Sequence, residues 1–141
     1  MSGRDRGDDT GRDTAREIGN GLRAFEHPPV RGAWRLLAGT DDVLALMDAG
    51  GGDGVVAAVK DAGATFLAPL YHELTAVVCL SGTPRSHIGI MAREFKLPCV
   101  VAAAFADGLP PPGAEVEVDC SGPGEGAVVR AVGSRSATSS A

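Results

Sequence analysis

The sequence predicts an α/β domain whose sheet has mixed strand directions. Two short, continuous apolar runs, Val55–Val59 and Ala76–Leu80, are typical of strands buried on both faces. An amphipathic helical pattern that begins at His87 follows the second run. Two further strand patterns, at residues 115–119 and 126–130, are separated only by a turn signal. This order predicts a mixed sheet rather than a plain repeat of parallel strand–helix units.

Local signals place the remaining elements. Asp41 and Asp42 are suited to begin a helix, which three consecutive glycines at 50–52 end. Pro69 is suited to the first turn of a short helix, where its missing N–H costs nothing. In chain order, the predicted elements are a strand at 32–38, a helix at 41–47, a strand at 55–59, a short helix at 70–74, a strand at 76–80, a helix at 87–95, and strands at 99–102, 115–119 and 126–130.

The composition limits the class of protein. The 141 residues fit one domain of ordinary size, and 44% hydrophobic with 22% charged residues is a globular composition. Only 4% of the residues are aromatic, so the core is expected to consist mainly of valine, alanine and leucine. The net charge of -5 argues against a general nucleic-acid binder, which usually has a basic face.

The two ends of the chain lack apolar periodicity. We expect a disordered leader at 1–27, a folded domain at 28–132 and a flexible tail at 133–141. The leader has no apolar segment typical of a signal peptide, and no run approaches the roughly 20 residues that span a bilayer. Cys79, Cys99 and Cys120 lie in or beside apolar runs without metal-ligand spacing, so they are expected to be buried, reduced thiols of a cytoplasmic protein.

His87 stands at the start of the second helix. Ser86 is a good N-cap residue, because its hydroxyl is able to accept a hydrogen bond from a first-turn N–H. A helix N-terminus favours anions and disfavours an imidazolium, so the position suits a neutral, nucleophilic ring and a negatively charged phosphoryl group on it. Arg85 would add a cation beside that group, and Thr83 and Ser86 would add hydroxyls. On spacing alone, a polar first-turn residue without chemistry remains an alternative.

No second chemical group joins His87 by spacing. His27 lies in the predicted leader, and His72 lies on the short helix as a partly exposed residue. The sequence contains neither a Ser-His-Asp arrangement nor a set of residues with metal-ligand spacing. The N-terminus of the helix at 87–95 is therefore the one place where the sequence indicates a reactive site.

A longer pattern around His87 resembles a known family. Residues 82–101 read GTPRSHIGIMAREFKLPCVV, and the closing strands read PGAEVEVD and GAVV. This order resembles the phosphohistidine, or swivelling, domain of phosphoenolpyruvate-utilising enzymes, which include pyruvate phosphate dikinase, phosphoenolpyruvate synthase and phenylphosphate synthase. The resemblance covers residues 30–132 and implies a three-layer β/β/α swivelling domain.

The resemblance also implies a function. His87 would accept a phosphoryl group from ATP or phosphoenolpyruvate and relay it to an acceptor, with Thr83, Arg85 and Ser86 as phosphate neighbours. The chain would bind no cofactor or metal directly, since ATP or phosphoenolpyruvate and magnesium would be bound by partner subunits. The 141 residues contain no glycine-rich nucleotide loop, so the resemblance implies a stand-alone carrier subunit of a split phosphotransferase that needs a nucleotide-binding, phosphoenolpyruvate-binding or acceptor-binding partner.

Two residues depart from the family pattern. Thr83 stands where a second glycine is usual, and Arg85 stands where a threonine is usual. Arg85 replaces a neutral hydroxyl with a full cation, which leaves open a non-catalytic interaction or regulatory module that retains the fold. The swivelling small subunit of a dehydratase is a third alternative, although no iron–sulfur or hydroxy-acid site supports it.

Overall fold

A computed structural model describes residues 15–133, which form one sheet of seven strands with two α-helices and a short 3₁₀ helix. The strands are β1 (Arg16–Arg23), β2 (His27–Leu36), β3 (Val55–Val59), β4 (Ala76–Cys79), β5 (Cys99–Ala104), β6 (Glu115–Cys120) and β7 (Gly126–Ala131). The helices are α1 (Thr40–Asp48) and α2 (His87–Glu94), and the 3₁₀ helix is Ala68–Leu70.

The sheet closes on itself in the order β1-β5-β4-β3-β2-β6-β7, with β7 pairing with β1. Strands β2 to β5 pair in parallel, whereas the pairs that involve β1, β6 and β7 are antiparallel. Parallel neighbours need crossover connections, and α1 and α2 supply two of them. The predicted α/β class with mixed strand directions is confirmed.

The core lies on both faces of the parallel strands, because β3 and β4 are buried along their whole length. Val55, Ala57 and Val59 pack beneath the helices. The alternate residues Val56 and Ala58 pack in a second cluster with side chains of β2, β6 and β7. This alternation follows from the period of two in a strand, so one apolar run contributes to two cores.

The predicted disorder of residues 1–27 is wrong from Arg16 onward. Strand β1 pairs with both β5 and β7, and β2 begins at His27 rather than at residue 32. Residues 1–14 and 134–141, where the rest of the leader and most of the tail were expected, lie outside the described residues. A Cβ at Gly21 would lie 2.5 Å from the carbonyl oxygen of Val101, so the glycine lets β1 approach β5 closely.

The short helix predicted over residues 70–74 is also different. The structure has a single 3₁₀ turn at Ala68–Leu70, and Tyr71 and Leu74 follow it as buried residues of a turn. Burial of these side chains against the helical side of the core determines the path of the segment more strongly than helix propensity does.

The three cysteines are free and buried, as the sequence predicts. Burial raises the pKa of the Cys99 thiol far above its usual value and raises that of Cys120 to about 11. None of the helices within residues 15–133 has the length and apolar character to span a membrane.

A network of charges joins β6 to its two neighbours. The Arg130 guanidinium lies 3.0 Å from a Glu117 carboxylate oxygen and 2.9 Å from one of Asp119, and Arg31 lies 3.2 Å from Glu117. Hydrogen bonding from the Ser121 hydroxyl, and then from Arg130, holds the pKa of Asp119 below its usual value. The arginines of this network therefore have carboxylate partners.

Candidate functional site

The loop of residues 80–86 connects the carboxyl end of β4 to α2. The Ser81 hydroxyl donates a 2.7 Å hydrogen bond to the carbonyl oxygen of Lys60 and accepts one of 3.2 Å from the N–H of Ala62. Gly82 has a φ of +85°, and a Cβ there would lie 2.3 Å from the Cβ of Ala62. The loop thus lies directly against the segment that follows β3, at the carboxyl ends of the parallel strands β3 and β4.

Three hydrogen bonds shape the loop before the helix. The Ser86 hydroxyl accepts from the N–H of Thr83 at 2.8 Å, and the Thr83 hydroxyl accepts from the N–H of Arg85 at 3.1 Å. The N–H of Ser86 donates to the carbonyl oxygen of Thr83 at 2.9 Å. Both hydroxyl oxygens act as acceptors within the loop, so each hydroxyl hydrogen is left to donate to another group.

The predicted capping role of the Ser86 hydroxyl is wrong. Ser86 does occupy the N-cap position, but its side chain makes no capping bond to α2. The first-turn N–H of Ile88 instead donates to the carbonyl oxygen of Ala62 at 3.1 Å. This hydrogen bond joins the start of α2 to the loop after β3. No local sequence signal predicts this contact.

His87 is the first residue of α2 and is exposed. Its ring has no hydrogen bond or ion pair with another residue of the described range 15–133. The amphipathic pattern of this helix is an apolar stripe of Ile88, Met91, Ala92 and Phe95, and Ile88 and Ala92 are fully buried in the core. Phe95, the last residue of that stripe, is 45% exposed and stacks on Tyr71 with ring centroids 5.5 Å apart.

Gly89 is a site residue that the sequence reasoning did not identify. It is buried in the first turn of α2, and a Cβ there would lie 2.3 Å from the carbonyl oxygen of Pro84. Only a residue without a side chain lets the loop pack this closely on the helix. A glycine within an otherwise good helical pattern was the available signal.

The structure places the predicted neighbours of His87 around two features. Ser86 belongs to the hydrogen-bonded loop, whereas Thr83 and Arg85 also line a cleft of about 700 Å³ beside that loop, and His87 is not among the residues lining it.

The other two histidines, His27 and His72, contact groups elsewhere in the domain. His27 Nδ1 lies 2.7 Å from the carbonyl oxygen of Pro28, and His72 Nε2 lies 3.7 Å from Glu73.

The fold and the loop agree with the comparison to protein families. Residues 51–122, half of the chain, match the family of the PEP-utilising enzyme, mobile domain. The matched range contains β3, β4, α2, β5 and β6, together with the loop that precedes His87. The chain belongs to this family and is a phosphotransfer-related module.

The similar proteins are much longer than this chain. The uncharacterized protein Rv2047c of Mycobacterium tuberculosis and the uncharacterized protein Mb2073c of Mycobacterium bovis are each 47% identical to it over 68 residues. The aligned residues are 48% of this chain and 8% of either relative. The name of neither relative assigns an activity.

Proposed function

We propose that the protein is a phosphohistidine carrier in which His87 accepts a phosphoryl group and passes it to an acceptor. The observation that carries this proposal is the exposed ring of His87 at the start of α2, which has no hydrogen-bond or ion-pair partner among residues 15–133, in a chain of the mobile-domain family of PEP-utilising enzymes. A carrier histidine must be reachable from outside, because its donor and acceptor bind on other surfaces.

The chemistry needs few groups from this chain. A lone pair on a ring nitrogen of neutral His87 attacks the phosphorus of the donor and forms a phosphorus–nitrogen bond. The phosphorus–oxygen bond to the donor then breaks, and the leaving oxygen keeps the bonding electrons. The second transfer reverses these roles, since an acceptor oxygen attacks phosphorus and the ring nitrogen leaves.

The loop supplies the groups that a phosphoryl oxygen would contact. The hydroxyls of Thr83 and Ser86 already accept hydrogen bonds inside the loop, so their hydrogens are free to donate outward. The side chain of Arg85 is exposed and makes no hydrogen bond or ion pair with residues 15–133. The N-terminus of α2 adds a favourable dipole for the negative charge.

The finer architecture belongs to the same proposal. The closed sheet, with one core beneath the helices and another between its two halves, supports the three-layer β/β/α arrangement of a swivelling domain. Donor and acceptor sites would lie on partner subunits, with ATP or phosphoenolpyruvate and magnesium bound there. In this arrangement the chain is the mobile carrier of a split phosphotransferase.

Chemical phosphorylation tests the reactivity of the histidine without any partner. Potassium phosphoramidate transfers a phosphoryl group to accessible histidine rings. We expect His87 to be modified faster than His72, whose side chain is 67% exposed but lies outside the loop that contains the Thr83 and Ser86 hydroxyls. Peptide mass spectrometry under alkaline conditions measures the two sites separately.

The matched variants are His87→Ala and His72→Ala. The rapidly formed, acid-labile phosphate should be lost in the His87→Ala variant and retained in the His72→Ala variant. Equal rates at the two histidines would refute the idea that the loop favours phosphorylation.

The split arrangement is tested by adding ATP or phosphoenolpyruvate together with the products of adjacent genes. Pathway activity that is unchanged by His87→Ala would support the regulatory alternative.

A further inference from the structure

The cleft beside the loop of residues 80–86 brings together three arginines from separate parts of the chain. Arg23 ends β1, Arg85 belongs to the loop before α2, and Arg93 belongs to the last turn of α2. The cleft has a volume of about 700 Å³, which is within the range of small-molecule sites. Three guanidinium groups around one concave surface are unfavourable unless negative charge offsets their repulsion.

None of the three arginines forms an ion pair with a residue in the range 15–133. Arg23 donates to the carbonyl oxygens of Cys120 and Gly122 at 3.2 and 2.6 Å, and Arg93 donates to that of Ala24 at 2.5 Å. Backbone carbonyls orient these two side chains but leave their positive charge unpaired. Arg85 makes no side-chain bond within residues 15–133.

Two carboxylates also line the cleft, yet neither forms an ion pair with its arginines. Within the described part of the chain, Glu26 and Glu125 make no ion pair of 4.0 Å or less. This differs from Arg130 on β7, which contacts two carboxylates. The cleft therefore has one excess positive charge and three unpaired guanidinium groups, which suits a compact anion with about two charges rather than a polyanion.

The remaining walls of the cleft are apolar. Phe25 and Pro84 line it between the arginines, and Phe25 is held from behind by the core cluster beneath the helices. A planar or apolar group contacts such walls well, while a phosphate dianion satisfies the guanidinium donors.

We propose that this cleft binds a small phosphomonoester, with its phosphate at Arg23, Arg85 and Arg93 and its organic part against Phe25. Binding here does not require phosphorylation of His87, since His87 does not line the cleft. The site thus stands apart from the carrier function, although both use the loop that contains Arg85.

Titration with model ligands tests the proposal on the intact chain. The probes are 1-naphthyl phosphate, inorganic phosphate and 1-naphthoate, each followed by the amide shifts of the protein in NMR at pH about 8, where a phosphomonoester carries nearly two charges. We expect 1-naphthyl phosphate to bind most tightly and to shift the amides of residues 23–26, 83, 85 and 125. Its affinity should fall as salt is added, because exposed charges are screened.

Matched variants separate the cleft from general surface charge. Arg85→Gln should weaken 1-naphthyl phosphate binding by about fivefold or more, as expected for loss of a charged hydrogen bond. Arg35→Gln removes the same charge from an exposed residue that does not line this cleft and should change the affinity less than about twofold. His87→Ala should leave binding unchanged while it abolishes phosphorylation, so the two proposals fail independently.

Three results would overturn the assignment. Equal effects of Arg85→Gln and Arg35→Gln would show nonspecific attraction to positive charge. Tighter binding of 1-naphthoate than of 1-naphthyl phosphate would exclude a phosphate site. Amide shifts confined to residues outside the cleft would place the ligand elsewhere.

Discussion

Replacing Gly89 by alanine separates two opposite physical effects at the site. Within a helix, alanine is favoured over glycine by about 1 kcal/mol, so propensity alone predicts a more stable protein. The structure predicts the reverse, because the new Cβ would lie 2.3 Å from the carbonyl oxygen of Pro84 and 2.9 Å from its carbonyl carbon. Both obstacles belong to the backbone, which yields less easily than a flexible side chain.

The size of the effect follows from this contact. Cβ atoms essentially never approach other atoms closer than 3.0 Å, so the oxygen must move by at least 0.7 Å, the difference between 3.0 and 2.3 Å. Overpacking costs about 1–3 kcal/mol, and because the atoms that must move here belong to the backbone, we expect the upper end of that range, about 2–3 kcal/mol. After the helix-propensity gain is subtracted, we expect Gly89→Ala to lower the free energy of unfolding by about 1–2 kcal/mol. This corresponds to a Tm lower by about 4–8 °C for a domain of this size.

Urea denaturation followed by tryptophan fluorescence measures the change. Trp34 is the single tryptophan of the chain and is buried beside Phe105, with ring centroids 5.4 Å apart. Gly122→Ala is the control, because a Cβ there meets nothing within 4 Å, and it should change stability by less than about 0.5 kcal/mol. A Gly89→Ala protein as stable as the parent or more stable would refute the close packing of Pro84 on α2.

Three further substitutions or treatments test the packing around the site. Because the pKa of Asp119 is lower in the folded protein than in the unfolded chain, its stabilisation is present above the unfolded-state pKa and is lost as the pH falls through the folded-state pKa. Asp119→Asn should therefore flatten the loss of stability below pH about 4 and cost about 1 kcal/mol at neutral pH, whereas the exposed Glu115→Gln should do neither; equal acid profiles would contradict this. The buried hydroxyl of Tyr71 has no hydrogen-bond partner among the residues that the structure describes, so Tyr71→Phe should raise the free energy of unfolding by about 1 kcal/mol in the same urea assay, and a loss of stability would disprove an unpaired hydroxyl. Cys99 and Cys120 are buried with raised thiol pKa values, so a disulfide reagent should modify them slowly in the native protein and rapidly in urea; rapid native modification would contradict their burial.

Strand β1 illustrates where sequence reasoning about this fold fails. Its sequence REIGNGLR contains two glycines and no continuous apolar run, so local composition predicts disorder. The strand exists because β5 and β7 offer backbone hydrogen bonds on both of its edges. Those partners are far along the chain, and local propensity contains no information about them.

The candidate site shows the same division. Ser86 at the N-cap position and His87 as the first helical residue were predicted correctly, because helix-start signals are local. The bonds of the Ser86 hydroxyl were not, since they depend on how the loop folds back on Thr83. The assignment of phosphate contacts to Thr83, Arg85 and Ser86 remains a prediction.

The sequence by itself determined the buried strands β3 and β4, the helix that begins at His87 and the resemblance to a phosphohistidine domain. The strands and the helix depend on residues within about ten positions of one another, where periodicity and capping act directly, and the resemblance rests on the order of such local patterns along the chain. Only the tertiary structure decided that Arg23 and Arg93 meet Arg85 at one cleft, and that Arg93 is held by the carbonyl oxygen of a residue 69 positions away. The pairing of β1 with β5 creates that proximity, because it places Arg23 opposite Val100 on the strand that follows α2.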